Sequence, residues 1–451
     1  MLKQIPYYLL KWTSSARHFV ISRFTLAGML LLACLITSGL LGLDTYKTTA
    51  YEIFTFLFSL LFISFIASVR PPAKLSASRA LPKMCTAGET FRYTISAKNE
   101  QKKNCNSILI TEKLPDPRPT MEELNYEFKK SDTRGKLKSL LSKKGYLGAW
   151  QRQVNIKLLA KAAPGKPVDI PSGGGVETSI KMTPMRRGFI RFKSIRFSQP
   201  DLLGLMNKLK ETPLEESLLV LPKRYPLPAI ILPGRRMHHQ GGVSLASNVG
   251  NADEFMALRD YRPGDPLRAI HWKSWAKTGK PVVKEHEDEH FSRHALILDT
   301  FADNSASELF EEAVSVAASF ASSIGKGESL LDLIFVGDEA YSFTSGRHTG
   351  TTQKMLEILA SVELCEDKNF DTLSNAVLSK GGLFSSSICI FIDWDKKRES
   401  FIEKLRASDI PLMVFIITED GQNPHFEGMK TLSHDFHILK RDKIGETLIK
   451  L

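Results

Sequence analysis

Two uncharged apolar runs lie close together near the start of the chain, and they constrain what the rest can be. Phe24 to Leu43 reads FTLAGMLLLACLITSGLLGL, twenty residues without a charge. Ile53 to Val69, IFTFLFSLLFISFIASV, adds seventeen more, with Ala50 and Tyr51 just before Glu52. A helix rising ~1.5 Å per residue needs about 20 such residues to cross a hydrocarbon core of ~30 Å. Either run alone could be a buried core helix. Two near-adjacent runs of this length instead predict a transmembrane hairpin, at about 24–43 and 50–69. The first run is too long for the apolar part of a cleaved leader, and a second span follows at once. Mean hydropathy over the 451 residues is only -0.13, so a polytopic transporter is excluded.

The flanks set the orientation. Residues 1–23 carry Lys3, Lys11, Arg17 and Arg23 and no acid. Residues 70–83 carry Arg70, Lys74, Arg79 and Lys83 and no acid, whereas the connection holds only Asp44 and Lys47. An excess of Lys and Arg marks the cytoplasmic side. Both termini and all soluble parts are therefore expected in the cytoplasm, with membrane lipid as the first partner. The five cysteines, Cys34, Cys85, Cys105, Cys365 and Cys389, form no CxxC pair. That argues against a zinc ribbon, a thioredoxin-type site and a disulfide scaffold. The net charge of +12 suits a membrane face or an acidic partner.

After Pro71-Pro72 the texture becomes β-like. Phe91–Ala97 (FRYTISA) and Ser107–Leu114 (SILITEKL) alternate or carry β-branched residues, between clusters of Gly, Asn and Pro. Short strands with turn signals predict a β-sandwich of the immunoglobulin-like kind over 70–225. Phe189–Phe197 (FIRFKSIRF) reads as strand at a sheet edge. A basic insertion spans 118–152; within it, residues 129–152 hold eight Lys or Arg and one acid, Asp132. A basic amphipathic helix near a membrane would lie on anionic lipid. A solvated basic insertion between two strands is the plainer reading. Aromatic residues do not alternate regularly with these charges as in a single-strand-binding groove, so no nucleic-acid partner is expected.

Residues 226–294 form the most informative segment. Glu254 and Phe255 precede Arg259 and Tyr261; Pro263-Gly264-Asp265 follows, then Arg268, Ile270, Trp272, Lys273 and Ala276. Pro-Gly-Asp is turn chemistry: Gly takes a backbone angle other residues resist, and Asp bonds back to nearby amides. An Arg fork holds a carboxylate bidentately, so Arg259 or Arg268 with Asp265 or Glu254 makes a candidate buried clamp. Trp272 and Trp275 are spaced to cover one side of it. Two readings stand. The segment is either an internal network fixing an irregular stretch, or a partner surface anchored by Arg, Tyr and Trp. No nucleophile–base pair accompanies it, so no catalysis is expected.

The run EF-x3-LR-x-Y-x-PGD-x2-R-x-I-x-WK-x2-A-x-TG closely resembles the signature of the family called domain of unknown function 58. The resemblance extends to the architecture: two spans, a β-rich middle, the signature, then a von Willebrand factor type A-like domain. Pro200-Asp201-Leu202-Leu203-Gly204-Leu205 resembles the Asp-Pro-Phe-Gly-Leu turn before that signature, with Pro and Asp exchanged. The basic insertion has no counterpart in the resemblance. The family implies a bacterial inner-membrane protein encoded beside a MoxR-type AAA+ ATPase and other von Willebrand type A proteins. A chaperone-like assembly role is proposed for it, and no activity of its own is established.

From residue 295 to 451, strand and helix patterns alternate. Ala295–Asp299, Leu330–Val336, Ile388–Ile392 and Leu412–Ile417 are apolar strands. Glu308–Ile324, and segments near 352–363 and 371–379, have helical spacing. This predicts a doubly wound parallel sheet covered on both faces. In the von Willebrand type A family the first strand ends in Asp-x-Ser-x-Ser, which ligates a divalent cation. Here the sequence is Asp299-Thr300-Phe301-Ala302-Asp303. Phe301 offers no oxygen, so no intact adhesion-type metal site is expected; Asp299, Asp303 and Asp393 remain weak metal candidates.

His286-Glu287-Asp288-Glu289-His290 spells H-E-x-x-H, the spacing that puts two zinc ligands on one helical turn. Flanking strand patterns and neighbouring acids point to an extended charged stretch instead, because the motif works only on a helix. Gly325-Lys326-Gly327 lacks the spacing of a phosphate loop. The sequence is therefore read as an α+β multidomain chain, a membrane-tethered adaptor without cofactor. The alternatives are a metal-dependent hydrolase using His286, Glu287 and His290, or a purely structural scaffold.

Overall fold

The computed structural model describes residues 5–41, 48–69, 74–124, 146–228, 255–265, 267, 270–286, 292–301, 307–324, 329–345, 349–365, 367–419 and 435–451. They fall into two compact units, Met1–Leu221 and Pro222–Leu451. The fold mixes helices with several sheets. Most of the basic insertion, residues 125–145, and Gly325-Lys326-Gly327 lie outside the described residues.

The first unit begins with helices α1 (Ile5–Arg23), α2 (Leu26–Leu41) and α3 (Thr48–Val69). One of them, over Thr49–Val69, is long and apolar enough to cross a membrane. Leu26–Leu41 is apolar but shorter. The expected first span therefore appears as sixteen helical residues, set off from α1 by Phe24 and Thr25.

Nine strands follow: β1 (Leu75–Ala80), β2 (Met84–Thr86), β3 (Phe91–Asn99), β4 (Cys105–Lys113), β5 (Ala160–Ala162), β6 (Val168–Ile170), β7 (Gly175–Pro184), β8 (Gly188–Pro200) and β9 (Asn207–Leu221). Helix α4 (Tyr146–Lys157) interrupts them. The strands form two sheets, ordered β1-β3-β7-β5 and β2-β9-β8-β4-β6. One core joins the sheets: Ile95, Ile180 and Met182 from the first, Ile110, Phe192 and Phe197 from the second.

FIRFKSIRF belongs to β8, an inner strand of its sheet rather than the edge its sequence suggests: β9 pairs along it, and β4 pairs with its second half from Ser194 to Phe197. Its basic residues mislead because a bulge between Phe192 and Ser194 resets the alternation. Ile190 and Phe192 before the bulge, and Ile195 and Phe197 after it, all reach the core. A regular strand could not do this, since side chains alternate strictly between faces.

A buried ion pair crosses that core. Arg79 on β1 holds Glu112 on β4 with two bonds, Nε to Oε1 at 2.9 Å and Nη2 to Oε2 at 2.8 Å. Both side chains are fully buried. The Tyr93 hydroxyl donates to Glu112 at 2.9 Å, and the Arg79 guanidinium lies 4.4 Å from the Phe192 ring centre. Burial, then the Glu112 charge, push the Tyr93 phenol pKa far up. Arg79 thus carries no free charge toward the orientation argument, which here rests on its other basic residues.

The second unit contains a two-stranded hairpin, β10 (Phe255–Asp260) and β11 (Val282–His286), and a six-stranded sheet. The sheet comprises β12 (Arg293–Leu298), β13 (Leu330–Val336), β14 (Ala340–Ser345), β15 (Ser386–Phe391), β16 (Leu412–Thr418) and β17 (Phe436–Lys440). Its order is β14-β13-β12-β15-β16-β17, all parallel except β14. The expected parallel sheet therefore carries one antiparallel edge, formed by a tight return after Val336. Helices α6 (Ser307–Ile324), α7 (Thr349–Ser361), α8 (Phe370–Leu378), α9 (Lys396–Ala407) and α10 (Ile444–Leu448) complete the unit. α8 and α9 pack Leu373, Val377, Phe401 and Leu405 against Ile297, Phe391 and Val414. On the alternate residues, Phe320 of α6 meets Phe415 with ring centres 5.0 Å apart. Apolar residues on both faces are why these strands read as continuous hydrophobic runs.

Removing one partner of a buried pair strands the other charge, at a cost of about 3–5 kcal/mol. Glu112→Ala is expected to lower the stability of the two-sheet domain by about that amount, measured by pulse proteolysis in urea. A loss under about 1 kcal/mol would mean that Glu216, 3.3 Å from Arg79 Nη1, suffices to hold the guanidinium charge.

Candidate functional site

The signature segment is organised by one turn and one fork. Pro263 and Gly264 occupy the middle of a turn closed by Asp265 N–H donating to the Arg262 carbonyl at 3.0 Å. Gly264 has φ +108°, a positive backbone angle that glycine adopts without steric cost. Arg259, at the end of β10, then grips the Asp265 carboxylate with both arms: Nη1 to Oδ2 at 2.7 Å and Nη2 to Oδ1 at 2.8 Å. The Arg262 amide donates to Oδ2 at 2.8 Å. The Arg259 fork, then this amide, hold the Asp265 carboxyl down at about 2. The clamp is not buried as expected: the Arg259 side chain is 33% exposed and that of Asp265 is 15% exposed.

Beyond the turn the chain returns to β11. Tyr261 N–H donates to Pro281 O at 3.0 Å, and His271 N–H to Val282 O at 2.8 Å. Ile270, buried, bridges to Val283. Helix α5 (Trp272–Thr278) starts where His271 Nδ1 meets Ser274 Oγ at 2.6 Å, and stops at Gly279, whose φ of +70° makes a left-handed cap. Trp272 and Trp275 stack on each other, ring centres 5.2 Å apart. Leu258, Leu267 and Trp272 are 40%, 68% and 63% exposed. Lys273, Lys277 and Lys280 are exposed as well.

Of the residues singled out in the sequence, Arg259, Tyr261, Gly264, Asp265, Trp272 and Lys273 thus share one hairpin. Glu254 and Arg268 lie outside the described residues, as does the side chain of Phe255. Leu258 and Leu267 went unnoticed because an isolated leucine in sequence looks like core; the structure leaves Leu258 exposed on strand β10 and Leu267 exposed beyond the turn.

The other candidates are placed differently. Asp299, fully buried at the end of β12, faces a guanidinium: Arg398 Nε donates to its Oδ2 at 2.7 Å. Arg398 Nη2 also donates to Phe301 O at 2.9 Å, and the group lies 5.0 Å from the Phe370 ring centre. Burial pushes the Asp299 carboxyl up, and the Arg398 charge opposes that shift. The cation beside this carboxylate is therefore supplied by the chain itself. Asp393 accepts from the Trp394 amide at 2.8 Å, and Asp303 lies outside the described residues. His286 is the last residue of strand β11, so the backbone there is extended rather than helical. Glu287 and His290 lie outside the described residues. Among the described residues, no group of three or more His, Cys, Asp or Glu is placed to hold a metal.

The depressed carboxyl makes the clamp pH-dependent with a definite sign. Its contribution is complete above the unfolded value near ~3.9 and is lost as pH falls through about 2. In a carboxyl-carbon NMR titration, Asp265 is expected to titrate near about 2, and in Arg259→Leu to move up toward ~3.9. An unchanged titration in the variant would remove Arg259 as the cause.

Known proteins place this hairpin in context. The Uncharacterized protein YeaD of Bacillus subtilis (strain 168) is 31% identical over 169 residues, covering 37% of this chain and 40% of that protein. The chain thus spans well under two thirds of that relative. Salmonella alpha-2-macroglobulin reacted with methylamine shows a TM-score of 0.18 at 13% identity, covering 40% of this chain and 9% of that one. A family 123 glycoside hydrolase from Clostridium perfringens shows 0.19 at 10% identity, covering 34% of this chain and 28% of that one. Scores this low establish no common fold. Residues 257–376, which include the Arg259–Asp265 fork and the tryptophan pair, match the family described as "Protein of unknown function DUF58", and carry that domain.

Proposed function

We propose that this protein is a non-catalytic, membrane-anchored adaptor, and that the signature hairpin is its protein-binding surface. In this reading residues 24–69 form a transmembrane hairpin in a bacterial inner membrane, with both termini and the soluble domains in the cytoplasm. The two-sheet domain is an immunoglobulin-like sandwich, and residues 295–451 are a von Willebrand type A-like domain.

The observation that carries the reading is the exposure of Leu258, Leu267 and Trp272 on a segment whose backbone is pinned by the Arg259–Asp265 fork. Exposed apolar and aromatic side chains on a rigid support are what a binding hot spot requires, because little entropy is lost when they dock. An internal cement would turn these side chains inward. The exposed Lys273, Lys277 and Lys280 beside them suit an acidic partner surface. The resemblance noted above makes a MoxR-type AAA+ ATPase the partner of choice, with other von Willebrand type A proteins in the same assembly.

Two further features favour binding over chemistry. Asp299 has a guanidinium as its cation, so this reading gives the α/β domain no metal-dependent adhesion. The extended backbone at His286 disfavours the peptidase alternative, whose two ligands need a helical turn.

The test is a crosslinked pull-down from native membranes, read by mass spectrometry. It compares the wild type with the surface variant Leu267→Ala/Trp272→Ala at equal accumulation. An AAA+ ATPase is expected with the wild type and at least about tenfold less with the variant, the loss typical of hot-spot truncation. Equal recovery from both would move the interface elsewhere and leave the hairpin a structural element.

A further inference from the structure

Helix α1 has two apolar faces, and among the described residues one of them is largely uncovered. On the packed face, buried Tyr7 and half-buried Leu10 join Leu124, Ala149 and Trp150 in a small core. The Tyr7 and Trp150 ring centres are 6.1 Å apart. Arg118, paired with Asp116, donates to Ser15 on the same helix. On the other face, Tyr8, Leu9, Trp12 and Phe19 are 58%, 58%, 72% and 51% exposed. At about 100° per residue, positions 8, 12 and 19 fall within about 40° of one another, so they form a stripe. A helix packed on one side ordinarily turns polar residues outward on the other. Here the outward stripe is aromatic, interrupted by Ser15, with Leu9 and Lys11 exposed on either side of it.

A second exposed apolar element lies beside the end of α1. The turn between β8 and β9 is held rigidly from behind. Asp201 Oδ1 accepts from the amides of Leu205 at 2.9 Å and Met206 at 3.3 Å, and Ser64 of α3 donates to its Oδ2. Thr25 donates its amide to Leu205 O at 3.0 Å and its hydroxyl to Gly204 O at 2.6 Å. Gly28 of α2 lies so close to the Leu205 carbonyl oxygen that a Cβ there would collide with it. Arg23 Nη1 donates to Ser68 O at 3.5 Å, tying the end of α1 to the end of α3. Against this scaffold, Leu202 at the tip is 95% exposed and Leu203 is 47% exposed. A turn fixed by five such hydrogen bonds that presents two leucines outward is shaped for an apolar medium.

We propose that the outward stripe of α1 and the Leu202–Leu203 tip lie in the interfacial layer of the bilayer, as a second membrane contact besides the spanning helices. α1 rests in the membrane plane on Tyr8, Leu9, Trp12 and Phe19, and the tip reaches the acyl chains. The inference rests on the reading of residues 48–69 as a membrane span. Continuity with that helix identifies lipid as the occupant: Ser64 and Ser68, which hold the tip and the end of α1, lie in the last two turns of its apolar run. Tyrosine and tryptophan favour the headgroup level, and Lys11, about 80° from the middle of the stripe, suits anionic lipid at its edge. The basic amino-terminal segment is then a positioning element that sets the height and tilt of the two-sheet domain over the membrane.

The test places an environment-sensitive fluorescent amino acid, by amber suppression, at position 12, 202, 58 or 102 of the full chain. Each protein is reconstituted into vesicles of phosphatidylethanolamine and phosphatidylglycerol, with and without brominated acyl chains. Position 58 reports the span; position 102, in the exposed turn after β3, reports water. Quenching at 58, 12 and 202 but not at 102 is the expected result. Quenching at 58 without quenching at both 12 and 202 overturns the surface and leaves the span standing. Blue-shifted but unquenched emission at 12 or 202 also overturns it, because a second copy or another protein then covers the face. Absence of quenching at 58 overturns the spanning reading itself, and the inference with it.

Discussion

The signature segment depends on one carboxylate held by one guanidinium. Between Asp260 and Val282 the chain forms a turn, a bridge and a seven-residue helix, with little regular structure to hold them. Arg259 closes this excursion locally. Its fork takes both oxygens of Asp265, and Asp265 in turn accepts the Arg262 amide and closes the Pro-Gly turn. Planar bidentate geometry fixes orientation as well as distance, which lysine could not do. With the turn fixed, Leu267 and the tryptophan pair have a defined place outside the hairpin. The pair is partly exposed, so its value is geometric rather than a large store of stability.

The same chemistry recurs, buried, in each unit, and there it does something else. Arg79–Glu112 joins the two sheets across an apolar core, and Arg398–Asp299 sits at the end of the first strand of the α/β sheet. Buried pairs of this kind add little net stability over apolar residues, but they make alternative packings expensive. The Arg398 pair also ties elements together: the strand-end carboxylate of Asp299 faces an arginine, which holds the helix of Arg398 to the β12 end.

Much of this was legible in the sequence, for reasons that can be named. The α/β strands stood out because both of their faces are covered; Leu330–Val336 matches its strand residue for residue. The Arg259–Asp265 clamp was legible because Pro-Gly-Asp announces its turn and few acids lie within reach. Strand β14, with its exposed Ala340, Tyr341 and Ser342, and strand β17 were missed, since half-exposed edge strands have no continuous apolar run. The inner position of β8 was hidden by its bulge, which no alternation rule anticipates. Arg79 was counted with the membrane-flanking charges because its partner Glu112 is 33 residues away in sequence. The two faces of α1 were invisible for a similar reason. Its packed face is defined by Leu124, Ala149 and Trp150, which sequence cannot bring beside Tyr7.

The central claim is that the Arg259–Asp265 fork rigidifies the hairpin without being part of either domain's core. Native-state hydrogen exchange of wild type and Asp265→Ala tests it most directly, with the full chain in nanodiscs. The reporters are the amides of Tyr261 and His271, which bond across the segment, against the core amides of Ile297 and Val414. The account predicts that protection at Tyr261 and His271 falls at least about tenfold in the variant while the core amides are unchanged. Unchanged protection at Tyr261 and His271, or an equal fall at all four amides, would contradict it.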